Sequence, residues 1–137
     1  MSENIDFKVD YSKLNIMDEF NADELKYPLI LSIPHCGTVF PEEFLQAVKY
    51  DAQTLRKNED LFVFDLLEPA IREAGIAALK LNLNRAFIDV NRAKVEIDPN
   101  MFYDYPREDI GLNQQRSRYG LGIIHKVTAD SKPIYGG

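Results

Sequence analysis

The stretch that decides the fold is Pro28-Leu-Ile-Leu-Ser-Ile-Pro34, followed at once by His35-Cys36-Gly37. A short, nearly continuous apolar run of this kind is typical of a buried strand, and Pro34 marks its end. Gly37, which lacks a Cβ atom, allows the main chain to approach a neighbouring segment closely. The sequence therefore predicts a buried strand that carries a histidine into the loop at its carboxyl end.

Two helices are predicted downstream of this strand. Pro41-Glu42-Glu43 is typical of a first helical turn, because proline suits that position and acidic side chains interact well with the helix dipole. Asn58 is a candidate N-cap for a longer amphipathic helix whose apolar positions recur as far as Ala74. Gly75 is a natural terminator, and Pro69 inside the pattern predicts a kink or a break.

Three further strands are predicted, over residues 76–83, 86–90 and 122–127. The last two are separated by a polar, turn-rich loop over residues 91–121. Strands and helices in this order indicate an α/β domain over residues 28–137, preceded by an N-terminal extension over residues 1–27. In such domains the ligand site lies beyond the carboxyl ends of the strands.

Composition excludes several classes of protein. The chain has 137 residues, with 16 basic and 22 acidic side chains and a net charge of −6, which argues against a nucleic-acid binder. Its apolar runs are shorter than the roughly 20 residues that cross a membrane, and the polar N-terminus does not resemble a signal peptide. A single cysteine fits a reducing compartment, so we expect a cytoplasmic protein.

Polar residues at two predicted strand ends are candidates for chemistry. His35 is either a metal ligand or a histidine hydrogen-bonded in a turn. Glu59 and Asp60 could complete a zinc set with it, or could simply cap the helix that follows.

Polar residues on either side of the strand predicted over residues 86–90 form a second group of candidates. Asn91 and Arg92 suit the carboxylate of a small substrate, and Arg85 is a further candidate of the same kind. The alternative for Arg92 is an ion pair with Asp89 or Glu96. Two other residues are interpreted as core: Cys36 as a small buried filler, and His125 as a satisfied histidine in an apolar strand.

These motifs together resemble the N-formylglutamate amidohydrolase family. The resemblance lies in residues 32–37 with Pro41, the acidic helix start at residues 58–60, and Asp89-Val-Asn91-Arg92; residues 119–124 and 133–135 extend it. It implies a zinc-carboxypeptidase-like mixed sheet with helices on both faces, and zinc-dependent hydrolysis of N-formyl-L-glutamate to formate and glutamate.

The resemblance also implies roles for individual residues. His35 would be a zinc ligand, with Glu59 (preferred for its longer reach) or Asp60 as the carboxylate ligand, while Asn91 and Arg92 would bind the substrate carboxylate. The family's second histidine and catalytic glutamate lie in a further segment, and His125 does not fall on a ligand position. The chain is therefore expected to be truncated, completed by a partner chain, or degenerate.

Three functions follow from these expectations. The first is a zinc-dependent hydrolase of N-formylglutamate or a related N-acyl amino acid. The second is a non-catalytic member that binds a small carboxylate, and the third is an interaction protein that uses the 91–121 loop with its tyrosines. An incomplete sheet would also leave an exposed edge that favours homo-oligomers.

Overall fold

The core of the protein is a small mixed sheet, seen in a computed structural model that describes residues 8–104 and 115–136. Its strands are β1 (Met17–Phe20), β2 (Ile30–Ile33) and β3 (Ala77–Leu81). β3 lies in the centre, antiparallel to β1 and parallel to β2, in the order β1-β3-β2. The α/β prediction is confirmed, as are the strands predicted over residues 28–34 and 76–83. The predicted burial of the first strand is wrong: β2 lies at the edge of the sheet and Ile30 is 55% exposed.

The helices are short. In the described residues they are α1 (Glu42–Ala47), α2 (Ala52–Leu55), α3 (Val63–Arg72) and α4 (Gln115–Arg118). Single 3-10 turns occupy Tyr11–Lys13, Arg56–Asn58 and Pro99–Met101. Pro41 is the N-cap residue of α1, as the Pro-Glu-Glu pattern predicts. Within this part of the chain, no helix combines the length and apolarity needed to cross a membrane.

Two apolar cores hold the elements together. One lies between α3 and the sheet and is built on Ile33, Ile71 and Ala78, with Phe20 and Phe64 packed against it. The other is formed by residues of α1, α2, the end of β3 and the chain beyond it, namely Phe44, Leu55, Leu81, Leu83, Ala86, Phe87 and Ile134. The loop that follows β2 therefore starts next to Ile33, which is 2% exposed, and this buried residue fixes its starting point.

The helix predicted to begin after Asn58 begins at Val63 instead. The Asp60 N–H donates to the His35 carbonyl at 2.9 Å, and this bond ties the residues just before α3 to the loop after β2. The Asn58 side chain caps nothing in α3; its Oδ1 accepts the Ala129 N–H at 2.7 Å. The predicted capping role of Asn58 is therefore wrong, and residues 59 and 60 belong to a loop.

α3 is continuous through Pro69 and ends at Arg72, so of the predicted kink or break the break is wrong, and the kink stays a prediction. Pro69 and Asp65, the residue whose carbonyl loses its helical donor, are both exposed, so water can satisfy that carbonyl. Gly75 has φ +79°, a conformation that favours glycine, and it ends the helical path as predicted.

The strand predicted over residues 86–90 is a turn. Asn84, which is fully buried, accepts the Ala86 N–H on its side-chain oxygen at 2.9 Å. Its carbonyl accepts the N–H groups of Phe87 and Ile88 at 3.0 and 3.3 Å. The hydrogen bonds fix the turn, and Ala86 and Phe87 are buried because the turn packs them into the core with Phe44, so an apolar run here does not require pairing in the sheet.

The strand predicted over residues 122–127 is also absent. The chain instead folds back on itself through two isolated bridges, Leu121 with His125 and Val127 with Pro133. The Lys126 N–H donates to the Gly120 carbonyl at 2.9 Å, and Gly120 has φ +77°. This tight turn prevents the segment from extending into a strand.

Candidate active site

His35 lies two residues beyond β2 and is 9% exposed. The loop that holds it packs against the main chain that continues β3: a Cβ atom on Gly37 would collide with the carbonyl of Leu83. The Val39 N–H donates to the Asn82 carbonyl and the Asn84 N–H donates to the Val39 carbonyl, each at 2.9 Å. The close approach predicted at Gly37 is confirmed, and it fixes the main chain around His35.

Asp89 anchors the His35 ring. It is fully buried, and its Oδ1 accepts from His35 Nε2 at 2.7 Å and from the Asn91 N–H at 3.0 Å. Arg85 Nη2 donates to the other oxygen, Oδ2, at 3.1 Å. Burial alone would raise the pKa of Asp89, but contacts with His125 and His35 and the Arg85 charge outweigh it and hold the pKa well below its usual range.

This bond determines which ring nitrogen of His35 remains available. With its Nε2–H donated to Asp89, a neutral His35 has its lone pair on Nδ1. Nδ1 faces Asp60 Oδ2 at 3.4 Å. Nδ1 and Oδ2 are both electron-pair donors of the kind that bind a metal ion, and the Asp60 carboxylate also lies 3.4 Å from Arg85 Nη1. A histidine backed by a carboxylate in this way is the usual arrangement of a metal-ligating imidazole.

Glu59 is held away from this pair. Its carboxylate accepts from Arg56 at 2.8 and 3.0 Å and from Asn84 Nδ2 at 3.3 Å, and its side chain is only 5% exposed. Among the described residues, the acidic partners of His35 are Asp60 and Asp89. Asp60 rather than Glu59 therefore faces the free nitrogen of His35.

The predicted substrate-binding residues lie on two sides of Asp89. Arg85 bridges Asp60 at 3.4 Å and Asp89 at 3.1 Å. Arg92 donates to the carbonyls of Asn91 and Leu121 at 2.9 and 3.3 Å, and its Nη2 lies 3.6 Å from Asp89 Oδ2. The alternative prediction for Arg92 is an ion pair with Asp89. Both Arg92 and Arg85 lie in that position. Asn91 is exposed beside them.

His125 is the site residue that sequence reasoning missed. It is buried, as predicted for a core histidine, but it is not satisfied: within the described part of the chain neither ring nitrogen has a hydrogen-bond partner. Its Nε2 lies 3.5 Å from Asp89 Oδ2, an electrostatic contact. The one sequence signal that could have found it is a lone histidine in an apolar segment, which is not specific.

Other residues considered earlier lie outside this arrangement. Cys36 packs against the core of Ile33, Ile71 and Ala78 but is only partly buried, so the predicted buried filler is confirmed only in part; burial raises the pKa of its thiol. Tyr103 and Tyr119 are 82% and 71% exposed. Tyr105 lies outside the described residues.

The expected zinc can be tested against the donors that the structure brings together. At zinc–ligand bonds of about 2.0–2.2 Å, two ligands of one tetrahedral ion lie about 3.4 Å apart. The Nδ1 atom of His35 and the Oδ2 atom of Asp60 are 3.4 Å apart, so this pair fits. Residues 8–104 and 115–136 contain no group of three histidine, cysteine or acidic side chains placed to hold a metal ion. The described chain thus brings together two side chains with the spacing of zinc ligands.

The fold and site define an α/β protein with a carboxylate-anchored histidine at the carboxyl end of a parallel strand. A model of the N-formylglutamate amidohydrolase family matches residues 27–137, so the chain belongs to that family. It is also similar to the crystal structure, at 2.00 Å, of N-formylglutamate amidohydrolase from Ralstonia eutropha JMP134, with a TM-score of 0.76 and 27% identity. The match covers 89% of this chain and 42% of that one, so the chain spans less than half of that protein's length. No curated protein sequence matches it.

Proposed function

We propose that the protein takes part in the metal-dependent hydrolysis of N-formylglutamate or a related N-acyl amino acid. The observation that carries this proposal is His35, bonded through Nε2 to buried Asp89 and facing Asp60 through Nδ1. Family membership over residues 27–137 supports the reaction class. The single cysteine, Cys36, supports a cytoplasmic location.

His35 and Asp60 are the residues proposed to hold zinc. When bound, the ion would lower the pKa of a water molecule towards about 7 and polarise the acyl carbonyl. The contribution of the chain is to keep His35 in the Nε2–H tautomer, since Asp89 accepts that proton, and to keep Nδ1 directed at Asp60. The proposal requires a third ligand in addition to this pair.

Arg85 is the better placed of the two arginines to bind the substrate carboxylate. Its Nη1 makes only a long contact with Asp60, at 3.4 Å, and its buried Nε has no hydrogen-bond partner among the described residues. Arg92, in contrast, already donates to two carbonyl oxygens. An arginine beside the ligand pair would orient the substrate so that its acyl carbonyl lies at that pair.

The test is formate release from N-formylglutamate by the purified chain supplied with zinc, together with its metal content by mass spectrometry. The matched variants are Asp60→Asn and Asp98→Asn, since Asp98 is an aspartate that pairs with Lys126 rather than with His35. We expect turnover and bound zinc to be lost in Asp60→Asn and kept in Asp98→Asn. Zinc bound by the native chain without any formate release would refute the hydrolase proposal for this chain.

A second candidate is a non-catalytic member that binds a small carboxylate. The observation in its favour is that the described residues bring two metal ligands together rather than three. Calorimetry with N-formylglutamate and with glutamate distinguishes it: binding heat that Arg85→Ala removes, with no formate formed, supports the binding function. No heat at millimolar ligand would contradict it.

A further inference from the structure

His125 stands out because it is buried and unsatisfied. It is 2% exposed, and neither of its ring nitrogens has a hydrogen-bond partner in the described residues. A buried polar group without a partner is costly, and each such group in a folded protein needs an explanation. The nearest charged oxygen is Asp89 Oδ2, 3.5 Å from His125 Nε2.

Asp89 has room for one more donor on that side. A carboxylate offers about four lone-pair sites, two on each oxygen. Oδ1 is filled by His35 Nε2 at 2.7 Å and the Asn91 N–H at 3.0 Å. Among the described residues, Oδ2 holds one bonded donor, Arg85 Nη2 at 3.1 Å. Two further donors approach Oδ2 without bonding it, His125 Nε2 at 3.5 Å and Arg92 Nη2 at 3.6 Å, and His125 is the one of the two whose ring nitrogens have no other partner in the described chain.

The segment that carries His125 is attached to the segment that carries Asp89. The Asp89 N–H donates to the Ile123 carbonyl at 2.8 Å, and the Ile123 N–H donates to the Glu96 carbonyl at 2.8 Å. Leu121 and His125 form a bridge, so the ring is mounted on a turn that is tied to residues 89–96 on either side. These main-chain bonds therefore fix the position of the segment that carries His125 relative to the segment that carries Asp89.

We propose that His125 is a positioning residue, which holds Asp89 from the Oδ2 side so that Oδ1 stays on His35 and Nδ1 of His35 stays directed at Asp60. The neutral Nε2–H tautomer of His125 supplies the donor. Without it, the carboxylate is free to rotate towards Arg85 and Arg92, which both lie on the Oδ2 side. The inference rests on the proposed metal function only in assigning the purpose of the His35 orientation.

The primary readout is the state of the His35 ring, which needs neither zinc nor turnover. The chain has two histidines, so in any His125 variant the one remaining imidazole signal belongs to His35. Long-range proton–nitrogen NMR on the labelled chain reports the tautomer and the bonded Nε2 proton. His125→Gln places an amide donor near the position of Nε2, whereas His125→Asn is too short to reach Oδ2. Thr128→Val changes a buried polar residue of the same segment and serves as the control.

We expect a single Nε2–H tautomer and a protected low-field proton in the native chain, His125→Gln and Thr128→Val. In His125→Asn and His125→Leu we expect mixed tautomers and loss of that proton, with a zinc affinity lower by roughly 10–100-fold. Thermal unfolding identifies any variant that fails to fold. If His125→Leu does not fold, the comparison of His125→Gln with His125→Asn still tests the proposal.

An unchanged His35 tautomer and proton in folded His125→Asn would overturn the proposal, whatever the zinc affinity. If the tautomer changes as expected but the native chain binds no zinc, the positioning role holds and the metal function fails. A purely structural role would lower the unfolding temperature in both His125→Gln and His125→Asn and leave the His35 signals alike, which would also overturn it.

Discussion

Replacing Asp89 with asparagine is the most informative perturbation of the candidate site. The carboxylate is fully buried and accepts from His35, the Asn91 N–H and Arg85 within 3.1 Å. An asparagine keeps the shape but puts an NH2 donor against either His35 or Arg85, which are donors themselves. Removing one partner of a buried ion pair costs about 3–5 kcal/mol, and the whole domain is expected to be stable by only about 5–15 kcal/mol.

Urea unfolding of the native chain, Asp89→Asn and Asp98→Asn measures this cost. Asp98 pairs with Lys126 at 2.6 Å, and the two side chains are 13% and 41% exposed, so this pair is only partly buried and we expect Asp98→Asn to cost about 1–2 kcal/mol. A cost for Asp89→Asn that is no larger than that of Asp98→Asn would refute the argument. The comparison requires that the free energy of unfolding falls with urea concentration at the same slope in all three chains, since a changed slope would signal a changed unfolded or native state.

The pH dependence supplies an independent check on the same variant. Because the pKa of Asp89 is lowered in the folded state, its stabilisation is fully present above the ordinary aspartate pKa of about 3.9 and is lost as the pH falls. The stability gap between the native chain and Asp89→Asn should narrow by about 1 kcal/mol between pH 5 and pH 3. A gap that stays constant would show that Asp89 is not stabilised as a carboxylate.

Three further predictions concern the surroundings of the site. Gly37→Ala puts a Cβ atom against the main chain that continues β3 and should cost about 1–3 kcal/mol in urea unfolding, whereas Gly136→Ala, which meets nothing within 4 Å, should cost within about 0.5 kcal/mol. Burial raises the pKa of Tyr135 to about 12, so the contribution of its neutral phenol to folding stability is present below the ordinary tyrosine pKa of about 10 and is lost as the pH rises towards 12. Tyr135→Phe should therefore unfold less readily than the native chain above pH 11. Equal stability of the two chains at that pH would contradict this. Asp60→Asn should weaken zinc binding at unchanged stability while Glu59→Gln should lower stability at unchanged zinc binding, and the reverse pattern would assign the ligand to Glu59.

The unit formed by residues 28–37 was predictable because its signals are local. A continuous apolar run and the proline that ends it act within a few residues, and Gly37 marks its own close approach to the main chain at Asn82 and Leu83 even though that contact is distant in sequence. The same holds for Pro41 at the start of α1 and for Gly75 after α3. The resemblance to the family added the mixed sheet, which depends on pairing between β2 and β3 that sequence patterns alone do not determine.

The start of α3 was not predictable because a distant bond decides it. Residues 58–62 carry capping and acidic residues in a helical order, and nothing nearby prevents a helix from starting there. The hydrogen bond from Asp60 to the His35 carbonyl, which joins residues 25 positions apart, holds this stretch as a loop. That loop conformation is also what turns the Asp60 side chain towards His35, so the error in the helix boundary and the candidate ligand pair have one cause.

The misassigned strand at residues 86–90 and the underestimated role of Asp89 share a cause as well. The run Ala-Phe-Ile-Asp-Val predicts a buried strand, and the sequence suggests for Asp89 only an ion pair with Arg92. The side chain of Asn84 folds the run into a turn, and the turn directs Asp89 inwards to His35, Arg85 and His125. A buried carboxylate is affordable only when several donors surround it, so an acidic residue in an otherwise buried run is itself a sign that such donors converge there.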